Sequence, residues 1–332
     1  MQFARLARYR LAPLPTPLDE APRLRLALGA GCPRIFVKRD DLTGLGMGGN
    51  KVRKLEYHLG DALAQRCDVL VTTGAIQSNH CRVTAAAAAR AGLHAVLVLR
   101  PGEPEDLQGN LLLDRVLGAR VRIAPGPTSA AVEATVAEEM DALRRAGRRP
   151  YIVPKGASTP LGAVAYAEAF VELLAQTAAL GVAVDAVVFC TGSGGTQAGL
   201  LGGATLLQSG VEVVGIADGA TRAELAPVVA TLVAGMAERC RLSIAVEPDQ
   251  VVVLEDYGGT YGVPTPACVD AIRLAARTEG LILDPVYSGK AMAGLVDLVR
   301  RGRWTSDQTV VFWHTGGQPA LFALAEAVGA QE

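Results

Sequence analysis

The chain has 332 residues, 50% of them hydrophobic and 20% charged, a composition typical of globular proteins and a length that suits about two domains. Its 32 Lys and Arg residues nearly balance its 33 Asp and Glu residues, and the net charge of -1 offers no field that would concentrate nucleic acid. No apolar stretch approaches the roughly 20 residues of a membrane span, and the N-terminus lacks a signal-peptide core. We therefore predict a cytoplasmic protein without nucleic-acid or membrane partners.

The predicted strands and helices alternate along the chain. Apolar runs predict strands at 35–38, 68–74, 94–100, 119–125, 150–154, 185–190, 211–217, 281–285 and 309–314. The strands are continuously apolar, which indicates parallel sheets covered on both faces, so we predict an α/β protein. In open parallel sheets ligands bind at the carboxyl ends of the strands, and the chemistry is expected there.

The first such junction is TGLGMGGNKVRKLE, which follows the strand at 35–38. Gly44, Gly46 and Gly49 match the dinucleotide pattern G-x-G-x-x-G, but charged residues separate them from the strand, and the P-loop pattern fails. A glycine-rich backbone then delivers Lys51 to the start of a predicted helix, where partial positive charge helps to lower the pKa of an amine. A solvated surface lysine is the alternative interpretation.

The second junction, TTGAIQSNHCR, places Ser78 and Asn79 at the start of an Ala-rich helix. Free N–H groups and short polar side chains there favour a carboxylate site, although ordinary helix capping would explain the same residues. A later segment, SAAVEATVAEEMDALRRAG, also predicts a helix, with Ser129 as its N-cap.

The third junction, CTGSGGTQAGL, predicts a phosphate site. Glycines allow successive N–H groups to converge on an anion between a strand and a helix. The residues assigned to this loop are Thr191, Gly192, Ser193, Gly194, Gly195 and Thr196. A dinucleotide is the main competing ligand, but the next strand, in VVGIADGAT, reaches only Asp218 and does not end neatly on an acidic residue that would bind a ribose.

Two later segments place further polar side chains at loop positions. DPVYSGKAMAGL puts Tyr287 and Ser288 at a helix start, FWHTGGQPAL puts Thr315 after the last strand, and GGTYGVP puts Tyr261 on a loop. Loop tyrosines are often packing lids. The six cysteines and four histidines show no disulfide or metal-ligand spacing, so we predict reduced thiols and no metal site.

A lysine on a glycine-rich loop together with a separate phosphate site suggests pyridoxal 5'-phosphate. The segments GGNKVRKLEY, GAIQSNH, TGSGGTQAGL, LDPVYSGKAMAGL and FWHTGGQPALF closely resemble the pyridoxal-phosphate enzymes of the tryptophan-synthase-β type, fold type II. Within that type they are similar to the branch with D-cysteine desulfhydrase, 1-aminocyclopropane-1-carboxylate (ACC) deaminase and L-cysteate sulfo-lyase. The resemblance runs from about Leu14 to Leu324, in order.

The resemblance implies the cofactor contacts. Lys51 would bond covalently to the cofactor aldehyde and afterwards move the Cα proton of the substrate. Asn79 would bind the 3'-oxygen and Ser288 would face the pyridine nitrogen, near Thr315. The segment from Gly192 to Thr196 would hold the phosphate, with Thr191 beside it.

The resemblance also implies substrate contacts and an architecture. Ser78 would meet the substrate carboxylate or act as an alternative base, and Tyr261 and Tyr287 would be the active-site tyrosines. Asn79, His80 and Thr315 would also contact the substrate. The implied fold has a larger cofactor domain of residues 1–52 and 163–332, a smaller inserted α/β domain of residues 53–162, and a homodimeric assembly.

The hydroxyls at Ser288 and Thr315 favour one branch. ACC deaminases carry Glu and Leu at these positions in the family pattern, whereas D-cysteine desulfhydrases carry hydroxyls. A hydroxyl can leave the pyridine nitrogen neutral, so a good leaving group on Cβ is needed. We expect elimination from a D-cysteine-like amino acid. The atypical loop VPKGASTPLGA leaves ACC, L-cysteate, D-serine and β-chloro-D-alanine open as substrates, and a nucleotide-dependent oxidoreductase is the alternative of another class.

Overall fold

The computed structural model describes residues 2–102 and 106–329, and it contains two sheets. The larger sheet has six strands in the order β1-β2-β10-β7-β8-β9, of which only the β1–β2 pair is antiparallel. Its strands are β1 (Leu18–Glu20), β2 (Arg34–Arg39), β7 (Ala186–Thr191), β8 (Glu212–Ala217), β9 (Val252–Leu254) and β10 (Thr309–His314). The predicted α/β class with mainly parallel sheets is confirmed.

The smaller sheet is wholly parallel, with the order β5-β4-β3-β6. Its strands are β3 (Val69–Ala75), β4 (His94–Arg100), β5 (Arg120–Ile123) and β6 (Pro150–Ile152). All four strands come from one continuous stretch of chain, whereas the strands of the larger sheet come from both sides of that stretch.

Helices connect the strands and cover the sheets. They are α1 (Pro22–Leu28), α2 (Lys51–Ala64), α3 (Asn79–Arg90), α4 (Gly109–Val116), α5 (Ser129–Arg145), α6 (Pro160–Ala179), α7 (Gly195–Leu206), α8 (Arg222–Cys240), α9 (Pro266–Glu279), α10 (Ser288–Arg300), α11 (Pro319–Ala323) and α12 (Ala325–Gly329). Every helix in the described ranges is too short or too polar to span a bilayer.

The central strands of the larger sheet are buried on both faces, which explains their continuous apolar sequences. In β7, Val188 packs with α1, α9 and α10 on one face, and Val187 and Phe189 pack with α6 and α7 on the other. This arrangement follows from the alternation of side chains along a strand. The core therefore fixes the ends of β7, β8 and β10, which point at the cavity described below.

Three local predictions are wrong. Residues 281–285 form no strand, because the Asp284 carboxylate accepts the N–H groups of Val286, Tyr287 and Ser288 and so begins α10. The short edge strands β1 and β9 were not predicted. The N-cap of α5 is Thr128, whose side chain accepts a hydrogen bond from the Ala131 N–H, so Ser129 is the first helical residue.

Candidate active site

A cavity of about 350 Å³ lies at the carboxyl ends of strands from both sheets. It is bordered by residues at or just after the ends of β3, β4, β7, β8 and β10. The predicted site residues that line it are Lys51, Ser78, Asn79, His80, Thr191, Gly192, Ser193, Gly194, Thr196, Tyr261, Tyr287 and Thr315. Two predicted site residues, Gly195 and Ser288, do not line it.

Lys51 is the first residue of α2, as predicted, and its side chain lines the cavity. Its Nζ has no hydrogen-bond partner within the described ranges. Burial lowers the pKa of Lys51 to about 8, and the nearby Asp218 carboxylate opposes this shift. A minority of the amine is therefore uncharged near neutral pH, far more than for an ordinary lysine, which suits a nucleophile or a base.

The loop that precedes Lys51 is fixed by its own hydrogen bonds. The Thr43 hydroxyl accepts the Gly49 N–H at 2.8 Å, and the Asn50 N–H donates to the Thr315 carbonyl at 2.9 Å. Gly48 has a φ of 67°, and a Cβ there would lie 2.2 Å from the carbonyl oxygen of Asp41. Only glycine fits this close approach, so the loop delivers Lys51 in one defined position.

A buried polar network anchors this loop and helix α2. The Asp40 carboxylate is 0% exposed and accepts hydrogen bonds from Arg53, from the Tyr166 hydroxyl at 2.6 Å and from the Trp313 indole at 2.8 Å. Burial opposes ionisation, but the Arg53 guanidinium outweighs it and lowers the pKa of Asp40. The network joins β2, α2, α6 and β10 behind the cavity.

The glycine-rich loop after β7 presents backbone to the cavity. Gly194 is the N-cap of α7 with a φ of 77°. A Cβ on Gly192 would lie 2.0 Å from Asp218 Oδ2, and a Cβ on Gly195 would lie 2.6 Å from Ser158 Oγ. Side chains are excluded at these positions, which leaves the N–H groups and the α7 N-terminus as an anion site.

Sequence reasoning missed Lys54, a fully buried amine behind this loop. Its Nζ lies 3.4 Å from both the Gly156 carbonyl and Ser158 Oγ, and Ser158 Oγ is 2.7 Å from Ser193 Oγ. Burial, followed by the charge of Lys51, holds the pKa of Lys54 well below its usual value. The i,i+3 spacing from Lys51, which places both residues on one side of a helix, was the available signal.

Helix α3 begins at the opposite wall of the cavity. Ser78 is its N-cap, and its hydroxyl oxygen accepts the Cys81 N–H at 3.2 Å, so the hydroxyl hydrogen is available to the cavity. Asn79 Oδ1 accepts a hydrogen bond from Asn110 at 3.0 Å, which orients the amide. Capping and the predicted carboxylate site are therefore compatible, because they use different atoms of the same residues.

The hydrogen bonds of His80 define its tautomer. The Thr72 hydroxyl donates its one hydrogen to the Val153 carbonyl at 2.6 Å, so the 2.8 Å contact to His80 must be a donation from Nε2–H. Burial holds the pKa of His80 well below its usual value, and the ring is neutral. Nδ1 therefore carries no hydrogen and can only accept a hydrogen bond, and it has no partner among the described residues.

Tyr261 and Tyr287 form a hydroxyl pair at the cavity. Their phenol oxygens are 2.6 Å apart, and the rings meet edge to face with centroids 6.1 Å apart. Burial raises the pKa of both phenols. Both tyrosines therefore remain protonated near neutral pH, and one of the two hydrogens is directed away from the pair.

Ser288 and Thr315 differ in their availability. Ser288 Oγ donates to Asp284 Oδ1 at 2.6 Å and accepts the Asp284 N–H at 2.8 Å, so its hydrogen is already used. Thr315 lines the cavity, and its hydroxyl has no hydrogen bond in the described part of the chain. Thr315 is the hydroxyl that a bound group would meet.

Two cations on the cavity wall were not assigned from the sequence. Arg100, at the end of β4, lies with its guanidinium carbon 5.8 Å from the centre of the Tyr261 ring. Lys155, just after β6, is exposed and also lines the cavity. Neither side chain forms an ion pair within the described residues. No group of three or more potential metal ligands occurs in those same ranges.

The residues present fit pyridoxal 5'-phosphate. An amine with a lowered pKa and a glycine anion site border the same cavity, and the buried Thr191 hydroxyl beside the anion site has no partner among the described residues. The profile of the pyridoxal-phosphate dependent enzyme family matches residues 9–316. The chain belongs to this family, and its cofactor is pyridoxal 5'-phosphate. This result removes the oxidoreductase alternative.

Individual relatives are similar over nearly their whole length. The chain is 42% identical over 325 residues to a putative 1-aminocyclopropane-1-carboxylate deaminase of Pyrococcus abyssi, covering 98% of this chain and 96% of that protein. It is 41% identical over 328 residues to D-cysteine desulfhydrase of Salmonella choleraesuis, covering 97% of each. The crystal structure of an ACC deaminase homologue matches with a TM-score of 0.90 and 40% identity, covering 98% of this chain and 97% of that one. The predicted fold type II architecture is confirmed.

Proposed function

We propose that the protein catalyses β-elimination from D-cysteine. The thiol leaves as hydrogen sulfide, and the aminoacrylate that remains takes up water and yields pyruvate and ammonia. Relatives named D-cysteine desulfhydrase and ACC deaminase are about equally similar, so the choice depends on the site. The observation that carries it is the Thr315 hydroxyl on the cavity wall, where a leucine would favour ACC.

Pyridoxal 5'-phosphate, when bound, withdraws electrons from the bonds at the Cα of an amino acid. Thr315 presents a hydroxyl to the cavity, and Ser288 is also a hydroxyl, so neither of these two residues would hold the ring nitrogen in its protonated form. Because the Ser288 hydrogen is donated to Asp284, we assign the direct contact to Thr315 and a supporting position to Ser288. Electron withdrawal is then moderate, which favours substrates with a good leaving group on Cβ.

Lys51 is the base that moves the Cα proton. Its lowered pKa, about 8, makes the neutral amine accessible, and the loop hydrogen bonds fix its position. The N–H groups at the start of α3 and the Ser78 hydroxyl bind the substrate carboxylate. Asn79 orients the cofactor ring, and the bare Nδ1 of His80 accepts a hydrogen from the substrate amino group or from the Lys51 amine.

Tyr261 and Tyr287 serve the leaving group. The hydrogen of this hydroxyl pair that is directed away from the pair would donate a hydrogen bond to the departing sulfur, which stabilises the negative charge that develops as the Cβ–S bond breaks. The glycine loop from Gly192 to Gly195 binds the cofactor phosphate through its backbone, and Lys54 adds a positive charge behind it. A phosphate dianion there would return Lys54 to its charged form.

A substrate panel tests this function. The holoenzyme is assayed with D- and L-cysteine, ACC, L-cysteate and D-serine, and the products are scored as 2-oxo acid and ammonia. We expect the highest kcat/KM for D-cysteine. Turnover of ACC at an equal or higher kcat/KM would overturn the assignment.

The Thr315 assignment has its own test. Thr315→Leu combined with Ser288→Glu should lower D-cysteine elimination and favour ACC, because this pair restores a carboxylate at the nitrogen. Thr315→Ser, which keeps the hydroxyl, is the matched control and should retain D-cysteine activity. Equal kinetics for the double variant and the wild type would place the nitrogen partner elsewhere.

Arg100 and Lys155 support a second candidate, elimination of sulfite from cysteate. Two cations without ion pairs at the cavity wall would bind the sulfonate of such a substrate. Arg100→Gln and Lys155→Gln should then reduce kcat/KM for cysteate about tenfold more than for D-cysteine. A uniform decrease for both substrates would exclude a sulfonate-specific role.

Assembly and location complete the proposal. We assign a homodimer in the cytoplasm, with residues 1–52 and 163–332 as the cofactor domain and 53–162 as the inserted domain. The strands of the smaller sheet all fall within 53–162. Val116 on α4 and Phe322 on α11 are 72% and 63% exposed on helices that pack together, an apolar surface that a second copy would cover. Light scattering during size-exclusion chromatography measures the molar mass of the assembly, and we expect twice the mass of one chain.

A further inference from the structure

The amine of Lys290 binds three backbone carbonyl oxygens. Lys290 is the third residue of α10 and is 0% exposed. Its Nζ donates to the carbonyls of Asp218 at 3.0 Å, Gly258 at 2.5 Å and Thr260 at 2.9 Å. All three hydrogens of the ammonium group are thereby used.

These carbonyls come from two segments that meet beside the cavity. Asp218 directly follows β8, and Gly258 and Thr260 belong to an irregular segment that carries Tyr261. The segments touch closely, because a Cβ on Gly219 would lie 2.7 Å from the Tyr261 nitrogen. Lys290 therefore joins the end of β8 to the segment that positions the Tyr261 hydroxyl.

The other fully buried lysine outside the cavity region has a different environment. Lys38 binds one carbonyl, that of Thr16 at 2.7 Å, together with the Glu172 carboxylate at 2.5 Å and the Gln176 amide oxygen at 2.6 Å. An ion pair neutralises Lys38. Lys290 instead takes only main-chain carbonyls, which is the type of shell that proteins offer to a potassium ion.

An ammonium group and a potassium ion carry the same charge and accept the same oxygen ligands. Three carbonyl dipoles that converge on one point repel one another unless a cation separates them. We propose that Lys290 is a covalently tethered monovalent cation, which holds the Tyr261 segment in place and makes the enzyme independent of free potassium or sodium. Lys290 is thus a positioning residue that acts through Tyr261.

The first test measures ion binding and needs neither cofactor nor substrate. Lys290→Ala removes the amine and its stem, which leaves space for a free ion among the three carbonyls. We expect thallium(I) NMR to detect one bound ion per chain in Lys290→Ala and none in the wild type. The melting temperature of Lys290→Ala should rise in potassium chloride relative to tetramethylammonium chloride. Lys38→Ala is the matched control and should show neither effect.

The second test measures activity, and it alone rests on the proposed function. In tetramethylammonium buffer, Lys290→Ala should lose about a hundredfold in kcat for D-cysteine, because a displaced catalytic hydroxyl costs about that much. Potassium or ammonium should restore at least about tenfold of this loss, with little change in KM. Wild-type activity should be the same in both salts.

Each outcome decides the proposal. Absence of thallium binding to Lys290→Ala, a salt response in the wild type, or failure of Lys290→Ala to fold in potassium as well as in tetramethylammonium would overturn it. A wild type without any elimination activity would instead count against the D-cysteine assignment, and the ion-binding test would still decide the role of Lys290.

Discussion

The part of the cavity wall that follows β7 is glycine-rich, whereas the part that follows the strands of the smaller sheet carries polar side chains; we call these two parts the backbone wall and the side-chain wall. On the backbone wall, a Cβ would collide with neighbouring atoms at Gly192 and Gly195, and Gly194 has a φ of 77° that disfavours a side chain. On the side-chain wall, Ser78, Asn79, His80, Arg100 and Lys155 present hydroxyl, amide, imidazole and cationic groups. Backbone N–H groups suit an invariant phosphate, while side chains can change with the substrate. Cofactor affinity and substrate choice should therefore respond to different substitutions.

The largest effect is expected at Lys51, because this residue acts on both the cofactor and the substrate. Lys51→Ala removes the covalent attachment of the cofactor and the base that moves the Cα proton, so kcat/KM should fall at least about a thousandfold. Absorbance at about 410–430 nm, where lysine-bound pyridoxal absorbs, and borohydride trapping should be lost as well. Near wild-type circular dichroism would show that the variant is folded. Substantial residual elimination by the folded variant would refute the assignment.

The backbone wall is tested by Gly194→Ala. Gly194 has a φ of 77°, which strains any residue with a Cβ, and that Cβ would lie 3.2 Å from Val228 Cγ1, so we expect the loop at the N-terminus of α7 to adjust. Cofactor affinity should fall about a hundredfold, because the N–H groups that bind the phosphate move with it. The matched control is Gly210→Ala, with a φ of 72° and no atom within 4 Å, which carries similar backbone strain outside the cavity. Equal cofactor affinity in both variants would contradict a backbone phosphate site.

The side-chain wall is tested by Ser78→Ala. The substitution removes a helix cap, at a cost of about 1 kcal/mol, and a substrate contact, so KM should rise about tenfold. Cofactor affinity should stay within about twofold of the wild type. Thr128→Ala deletes the comparable cap of α5 away from the cavity and should lower the melting temperature without changing KM. A parallel loss of cofactor affinity in Ser78→Ala would show that the two walls are not separate.

Local sequence patterns predicted most of the backbone wall and less of the side-chain wall. Continuous apolar strands and glycine-rich junctions depend on neighbouring residues, so the loops at Lys51 and Gly192 were found directly. Arg100 could not be found in this way, because only strand order brings the end of β4 to the cavity, whereas the loop that carries Lys155 was noted for its atypical sequence as a candidate border of the substrate site. Residues 281–285 failed for a different, local reason: their apolar run fits a strand, but the Asp284 carboxylate accepts the N–H groups of the following residues and begins a helix.

The smallest effect is expected for Lys54→Met, which should raise the melting temperature of the apoprotein and lower its affinity for the cofactor. Burial holds the pKa of Lys54 well below its usual value, so the unfolded chain keeps a proton that the folded apoprotein tends to lose. The stability penalty is therefore greatest at low pH and fades as the pH rises towards the usual lysine pKa of about 10.4. Methionine removes the penalty, so the melting temperature of apo Lys54→Met should exceed that of the apo wild type, and the difference should shrink as the pH increases.

Cofactor affinity should change in the opposite direction. Lys54 reaches the phosphate loop through Ser158 and Ser193, so its charge acts across these hydroxyls and its loss should weaken cofactor binding only about tenfold. The charge also implies that Lys54 takes up a proton when the cofactor binds, so calorimetry in buffers of different ionisation enthalpy should find less proton uptake in Lys54→Met than in the wild type. A Lys54→Met protein with unchanged cofactor affinity would make Lys54 a structural lysine, and the anion site would then depend on backbone alone.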